Sequence, residues 1–242
     1  MMIYATEFCF VAFSLYLCIV IITNNKRQSK MKKYELTSET KVNNGVELHR
    51  IKALKSFGNI KKGELGGWIE GEKNLSQYED AWVGDNAMVY DNATVYRNAE
   101  VYGNATVGGD VTISGNATVG GNAEVGGNAW VYGNATVGGN ATVGGGVTIS
   151  GNAMISEDAN VRENADFIVF KNWWSSGRYF TWTRSNNKWK VGCFCGSGEE
   201  LIAKAYKDSE KSGREYERVV KYVNDILKEE DNDNGNRNKC ED

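Results

Sequence analysis

The sequence predicts a mainly β fold built around a parallel β-solenoid, in which each coil pairs its short strands with the coils on either side. Three observations predict it: a six-residue repeat fills the middle of the 242-residue chain, glycine is abundant, and proline is absent. Sixteen of the 28 glycines lie in the repeat. About 12 prolines would be expected at an average usage of ~5%. Because proline removes a donor from strand pairing, its absence from the repeat fits a stack of paired coils.

The repeat is strict in position. Residues 83–166 divide into fourteen hexads without insertion; the first position is Val or Ile in all fourteen, the fourth is Asn in eleven, and the fifth is Ala in twelve. A period of six fits neither a helix nor an alternating strand, whereas it fits a solenoid with the Val or Ile inside and a turn at the Asn-Ala corner. We expect the stacked Asn side chains to bond to the backbone of the neighbouring coil.

A second periodicity sets the size of the coil. VGGDVTISGNATV, which begins at Val107, recurs as VGGGVTISGNAMI from Val143, an offset of 36 residues. Two equal coils of three hexads each account for this offset. The sequence therefore predicts a triangular prism of about 4.7 coils, roughly 22 Å long at the usual strand spacing.

The repeat resembles the hexapeptide-repeat superfamily, whose fold is a left-handed parallel β-helix. Its flanks resemble phage- and prophage-associated hexapeptide-repeat proteins, through LHRIKALKSFGNIKKGELGGWIEGEKNLSQYEDAWV (48–83) and KVGCFCGSGEE (190–200). The resemblance covers about residues 31–230 and implies a left-handed helix, a homotrimer and a phage-like origin.

The segments outside the hexads predict four further regions. They are an apolar segment (1–30), an N-terminal cap (31–82), a small α/β module (167–230) and a disordered polar tail (231–242). In the cap, Gly66-Gly67-Trp68-Ile69 is expected to fold an aromatic ring over the first coil. In the module we expect a strand, a hairpin and two helices, at Phe167–Phe170, Arg178–Arg184 with Lys188–Cys195, Glu199–Lys207 and Glu215–Lys228.

The apolar segment leaves two alternatives open. Residues 3–22 are long enough to span a bilayer, and Lys26, Arg27 and Lys30 follow them. By the positive-inside rule such a helix would tether a cytoplasmic body to the membrane. Alternatively, Met31 is the natural start, and the protein is cytoplasmic without an anchor.

The composition limits which ligands the chain can bind and which reactions it can catalyse. The hexads carry two arginines against nine acidic residues, so the solenoid is a poor surface for nucleic acid. Enzymes of the superfamily it resembles use a histidine within the coils as a base, but the only histidine, His49, lies in the cap. One histidine also excludes a three-histidine zinc site. The sequence thus predicts no catalytic residue, no cofactor and no metal. The alternative is a degenerate acyltransferase-like enzyme whose base is His49 or comes from a neighbouring subunit.

Two clusters in the C-terminal module have both a structural and a functional interpretation. Cys193 and Cys195 are expected on one face of a strand, either as free structural thiols or as part of a metal or redox site that needs further ligands. The five cysteines lack framework spacing, which suits a reducing compartment. The aromatic residues of the module either form its core or, at Trp173-Trp174, stack on a ligand.

The three faces of the predicted prism differ. Two are columns of glycine where backbones can approach closely. The third alternates aromatic and hydroxyl pairs: Thr94, Tyr96, Thr112, Ser114, Trp130, Tyr132, Thr148 and Ser150. We predict that this face contacts a protein, a glycan or a neighbouring protomer, against the alternative of a solvated strand surface. Ice binding is disfavoured, because no face is an unbroken column of threonines. The sequence therefore favours a non-catalytic scaffold or binding protein.

Overall fold

The computed structural model describes residues 32–237, so the apolar segment 1–30 and the last five residues lie outside the described part. Three strands form the N-terminal cap: β1 (Tyr34–Asn43), β2 (Val46–Ala53) and β3 (Leu65–Ile69). Fourteen two-residue strands form the coils: β4 (Trp82–Val83), β5 (Met88–Val89), β6 (Thr94–Val95), β7 (Glu100–Val101), β8 (Thr106–Val107), β9 (Thr112–Ile113), β10 (Thr118–Val119), β11 (Glu124–Val125), β12 (Trp130–Val131), β13 (Thr136–Val137), β14 (Thr142–Val143), β15 (Thr148–Ile149), β16 (Met154–Ile155) and β17 (Asn160–Val161).

The remaining elements form the C-terminal module, an antiparallel sheet followed by two helices. They are β18 (Phe167–Lys171), β19 (Tyr179–Thr183), β20 (Lys188–Val191), β21 (Phe194–Gly196), α1 (Gly198–Asp208) and α2 (Glu210–Arg237). Short 3-10 turns lie at Glu72–Asn74 and Asn164–Asp166.

The coils stack as the sequence predicted. Parallel pairing joins residues separated by three hexads, as in Thr118 with Thr136 and Trp130 with Thr148. Three parallel sheets result, with the orders β3-β5-β8-β11-β14-β17, β4-β7-β10-β13-β16 and β6-β9-β12-β15, and the first is extended by β2 and β1. The β-solenoid of about five turns is therefore confirmed, whereas its left-handed sense stays a prediction.

The core of the solenoid is the inward column of Val, Ile and Ala residues. Every first-position residue of the hexads is buried, and so is the fifth-position residue of all but the last. The C-terminal module has a separate core, formed by Trp174, Phe180, Trp182, Trp189 and residues of α1 and α2. This second core confirms the structural interpretation of most of the aromatic cluster.

The solenoid begins earlier than the hexads. Ile69 pairs with Val89, and Leu75 forms a bridge to Val95, so each partner lies slightly further along the chain than three hexads would place it. The regular spacing is reached only at Trp82, which lies beside Glu100. The predicted cap thus supplies the first turn of the solenoid, in a slightly lengthened form. Trp68 lies in β3, where Lys41 and Arg50 cover its ring at 4.5 Å and 5.1 Å from the centroid.

The structure refines two predictions about the corners, the position of the turn and the partners of the Asn side chains. The turn lies at the predicted corner, and the residue with positive φ is the one before the Asn: it is glycine in most hexads and Asp85, Asp91, Arg97 or Glu157 in others. Most of the Asn side chains bond to one another rather than to the backbone, although Asn164 accepts from the Thr148 N–H of the neighbouring coil at 2.9 Å, as predicted. One ladder runs from Asn86 to Asn140 and another from Asn98 to Asn152, with an amide donating to the next amide oxygen at 3.0–3.3 Å.

The C-terminal module also differs from its prediction in two places. Gly192 and Cys193 form a tight turn between β20 and β21, with φ of +56° at Gly192, so Cys193 and Cys195 do not share one strand. Helix α2 continues to Arg237, well past the expected end at Lys228. The first seven residues of the predicted disordered tail are therefore helical.

The predicted membrane anchor is also corrected. Among residues 32–237, no helix combines the length and the apolar character that crossing a bilayer requires. The segment 3–22, to which the prediction referred, lies outside the described residues. The transmembrane helix and the tethered location inferred from it are therefore withdrawn.

Candidate binding surface

The eight outward residues predicted as a contact face do lie on one surface. They belong to the sheet β6-β9-β12-β15, here called the Trp130 sheet, whose register aligns Thr94, Thr112, Trp130 and Thr148. In each strand the inward Val or Ile is buried, so the residues on either side of it point outward. The predicted residues come together because the coil length stays constant across this sheet.

Large side chains stand out at the centre of the Trp130 sheet. Trp130 is 54% exposed, and Tyr132 on the same coil is 39% exposed. Tyr96 lies two coils earlier and is also exposed. Ser114 lies between the two tyrosines in the column and is only 7% exposed, which indicates that the neighbouring rings shield it. The surface thus has two aromatic platforms, Tyr96 on one coil and Trp130 with Tyr132 two coils later, and the half-buried Thr112 lies between them.

The orientation of such rings is visible on the other two sheets. A Cβ atom built on Gly108 would lie 2.8 Å from the Tyr90 ring, and one on Gly120 would lie 2.5 Å from the Tyr102 ring. Each tyrosine therefore lies flat on the glycine of the next coil and turns its other face to solvent. This contact was not predicted, although a tyrosine followed by a glycine 18 residues later in the sequence indicates it.

The Trp130 sheet differs from the other two sheets of the solenoid in the charge of its outward residues. None of its eight outward residues is ionisable near neutral pH, whereas the other sheets carry Glu100, Glu124 and Arg162 at equivalent positions. The ladder from Asn98 to Asn152 runs along the corner that follows this sheet and presents exposed amide groups beside it. The surface can therefore offer ring stacking and neutral hydrogen bonds.

A second concave surface lies on the sheet that contains β8, β11 and β14. It is a groove of about 560 Å³ with Tyr90 at one end, Arg162 at the other and Glu124 between them. Its floor is open at Gly126 and Gly144, where an added Cβ would meet nothing within 4 Å. The predicted glycine columns are thus smooth only in part, because Tyr90 and Tyr102 cover two of the glycines.

The remaining candidates do not join the Trp130 sheet. His49 is half-buried in β2, directly across from the core residue Ile69, and so lies outside the hexads. Trp173 is 73% exposed, but its predicted partner Trp174 packs in the core of the C-terminal module. Within residues 32–237, no three His, Cys, Asp or Glu side chains are grouped closely enough to hold a metal ion.

The two cysteines of the C-terminal module differ in environment. Cys193 is exposed in its turn, and Cys195 is half-buried in β21. Burial raises the pKa of the Cys195 thiol, and the nearby Glu157 carboxylate adds to the rise. A raised pKa disfavours the thiolate, which is the form that attacks disulfides and binds metals.

Comparison with known proteins found one protein family whose model matches part of the chain. Residues 86–195, from the first hexad to the end of the antiparallel sheet, match a family model described as an ice-binding-like adhesive domain. No curated protein matches the chain. The family match and the observed coils together support a β-helix repeat protein and are consistent with a non-catalytic binding scaffold.

Proposed function

We propose that this chain is a non-catalytic adhesive module that holds a partner or a surface through the Trp130 sheet. The observation that carries the proposal is the half-exposed indole of Trp130 at the centre of an otherwise hydroxyl-bearing sheet. Tryptophan and tyrosine dominate the binding energy of many contact surfaces. The family to which residues 86–195 are similar is itself described as adhesive.

The solenoid suits this role because it presents side chains on a rigid frame. The backbone N–H groups of each coil donate to carbonyl groups of the next, as Trp130 does to Val147 at 2.8 Å. Little conformational entropy is then lost when a ligand binds, which favours affinity. We extend the proposal to a homotrimer of phage-like origin, supported by the resemblance of the hexads and their flanking segments.

Ice is a poorer ligand for this surface than the family description alone suggests. Thr94, Thr112 and Thr148 would form a regular column, but Trp130 stands in it and projects into solvent. A flat crystal face could not contact the threonines on both sides of the indole at once. We therefore treat ice as one surface to be tested.

The test compares a double variant of the Trp130 sheet with a control variant on another sheet. Trp130→Ser with Tyr132→Ser removes the larger of the two aromatic platforms. Tyr102→Ser, the control, removes from another sheet a tyrosine whose exposure of 41% is similar to that of Tyr132. Retention is measured on starch granules, albumin-coated beads, phosphatidylcholine vesicles, ice and immobilised copies of the chain. We expect the native protein to be retained on at least one surface, the double variant to lose about 90% of that retention and the control to keep it.

Two outcomes would overturn the proposal. One is a native protein that none of the five surfaces retains. The other is a double variant retained as well as the native chain, with thermal unfolding confirming that both are folded.

A further inference from the structure

The composition of the Trp130 sheet narrows the class of ligand. From the geometry we infer that the sheet binds a neutral polysaccharide chain laid along the solenoid axis, an inference that rests on the proposed function. The sheet combines flat aromatic faces with hydroxyl groups and excludes ionisable side chains, although the hexads as a whole are acidic. A pyranose ring has an apolar face that stacks on an aromatic ring and a rim of hydroxyl groups that exchange neutral hydrogen bonds.

The spacing of the aromatic residues favours a chain over a single sugar. Tyr96 and Tyr132 belong to coils two apart, and neighbouring coils are separated by about 4.8 Å, so the two rings are offset by about 10 Å along the axis. Thr112 and Ser114 occupy the coil between them. One sugar cannot reach both platforms, whereas a chain of several sugars can stack on both and bond to the Thr112 hydroxyl between them, since Ser114 is buried.

The edge of the sheet supplies further polar groups in the same direction. Asn98, Asn116, Asn134 and Asn152 repeat at every coil, and each amide that donates to the next keeps a second N–H for another partner. Their period equals the coil spacing, so a ligand aligned with the axis meets equivalent amides at each step. A ligand lying across the sheet would meet only one.

Charge and size argue against other occupants. An anionic polymer or an anionic lipid surface requires clustered lysine or arginine residues, and the outward positions of this sheet hold none. A stable protein interface buries about 800 Å² per partner around an apolar core. The four coils of this sheet span only about 14 Å along the axis and carry three large aromatic side chains. The sheet is therefore small for a stable protein interface.

The experiment is calorimetric titration of the full chain with linear neutral glucan oligomers of three linkages: cello-, laminari- and malto-oligosaccharides. Alginate serves as an anionic polymer. We expect at least one neutral glucan to bind, with affinity rising from the monosaccharide to the hexamer and unchanged at high salt. Trp130→Ser and Tyr132→Ser should each weaken the hexamer about tenfold or more, and Tyr96→Ser should remove most of the advantage of the trimer over the monosaccharide. Tyr102→Ser should bind as the native chain does.

The outcomes separate this inference from the proposed function. If Trp130→Ser with Tyr132→Ser abolishes retention on albumin, vesicles, ice or immobilised protein while no glucan binds, the adhesive function stands and the polysaccharide inference falls. Preference for alginate, or binding lost at high salt, also overturns the inference. If a glucan binds equally to the native chain and the double variant, both proposals are wrong about the surface.

Discussion

Gly121 and Gly139 lie one coil apart, and a Cβ atom on Gly121 would come within 2.7 Å of the Gly139 carbonyl oxygen. Gly121 also has φ of +68°, a conformation that L-residues adopt at a cost. Two effects therefore favour glycine at this corner: the backbone dihedral and the closeness of the next coil. Gly151, which occupies the same hexad position at another corner, has φ of +66° with nothing within 4 Å of an added Cβ.

This pair separates the two effects by mutation. Gly151→Ala should cost about 1–2 kcal/mol, because only the left-handed conformation is penalised. Gly121→Ala should cost more, by about 1–3 kcal/mol, because the methyl group also presses on the Gly139 backbone. Urea unfolding of the two variants measures the difference. Equal losses would mean that close approach of the coils contributes nothing.

Aspartate at the same corner is expected to be better tolerated than alanine. Asp85 has φ of +51°, and its carboxylate accepts a hydrogen bond of 2.9 Å from the Gly103 N–H of the next coil. Asp91 accepts in the same way from Gly109 at 3.0 Å. Gly121→Asp should therefore lose less free energy of unfolding than Gly121→Ala, through a new bond to the Gly139 N–H. A greater loss for aspartate would contradict this explanation.

The asparagine ladders should contribute modestly to stability. Asn122 accepts from Asn104 and donates to Asn140, both at 3.0 Å, whereas the side chain of Asn128 lies in a column interrupted by Asp110 and Gly146. Asn122→Ala removes both ladder bonds and should cost about 1 kcal/mol. Asn128→Ala should stay within about 0.5 kcal/mol of the native chain. If thermal unfolding ranks the two variants in the opposite order, the ladder is not stabilising.

A buried ammonium in the N-terminal cap should make stability depend on pH. Lys33 Nζ donates to the carbonyl oxygens of Ala81 at 2.6 Å and of Tyr78 and Glu79 at 3.3 Å, and it lies 5.0 Å from the centre of the Phe57 ring. Burial lowers the pKa of Lys33 from 10.5 to about 8, and the nearby Asp80 carboxylate opposes the shift. The folded chain therefore releases this proton at a lower pH than the unfolded chain.

The direction of the pH effect follows from the lower pKa of Lys33 in the folded chain than in the unfolded chain. Between about pH 8 and 10.5 the unfolded chain binds more protons, so the contribution of Lys33 to the free energy of unfolding rises with pH. Below pH 8 both states hold the proton, and the cost of burying the charge is present in full. The native chain should thus gain stability relative to Lys33→Met as the pH rises from 8 to 10. Burial also raises the pKa of Tyr34, which acts above pH 10 and is common to both proteins. Parallel pH profiles from urea unfolding would contradict the prediction.

How much the sequence predicts depends on whether the signal is repeated. The strict spacing of three hexads placed Thr112, Trp130 and Thr148 side by side correctly, because each coil constrains the next. The spacing could not locate the first turn, since Ile69 and Leu75 pair across a longer stretch of chain and lie outside the hexads. Whether Trp130 and its neighbours bind a ligand stays a prediction.

Single, unrepeated features were harder to interpret. Cys-x-Cys alternates as a strand would, but the positive φ of Gly192 turns the chain between β20 and β21 and separates the two thiols. Tyr102 covers Gly120 because of a contact between coils, so the pairing is visible only once the coil length is known. The first pattern fails because a tight turn interrupts the alternation, and the second is a contact between residues 18 positions apart in the sequence.

Side chains of the C-terminal module accept hydrogen bonds from backbone N–H groups at the end of the solenoid. We expect these bonds to stabilise the last coils. The exposed edge of a solenoid leaves N–H groups without a strand partner. Here Thr181 Oγ1 accepts from the Met154 N–H at 2.9 Å, and Ser185 Oγ accepts from the Asn160 N–H at 2.7 Å.

Thr181→Val keeps the shape of the side chain but leaves the Met154 N–H unsatisfied, at a cost of about 1–3 kcal/mol. Thr181→Ser retains the acceptor and should restore most of that loss. Hydrogen exchange provides the direct measurement: the Met154 amide should exchange faster in Thr181→Val and at nearly the native rate in Thr181→Ser. Equal protection in all three proteins would mean that the module does not cap the solenoid through this bond.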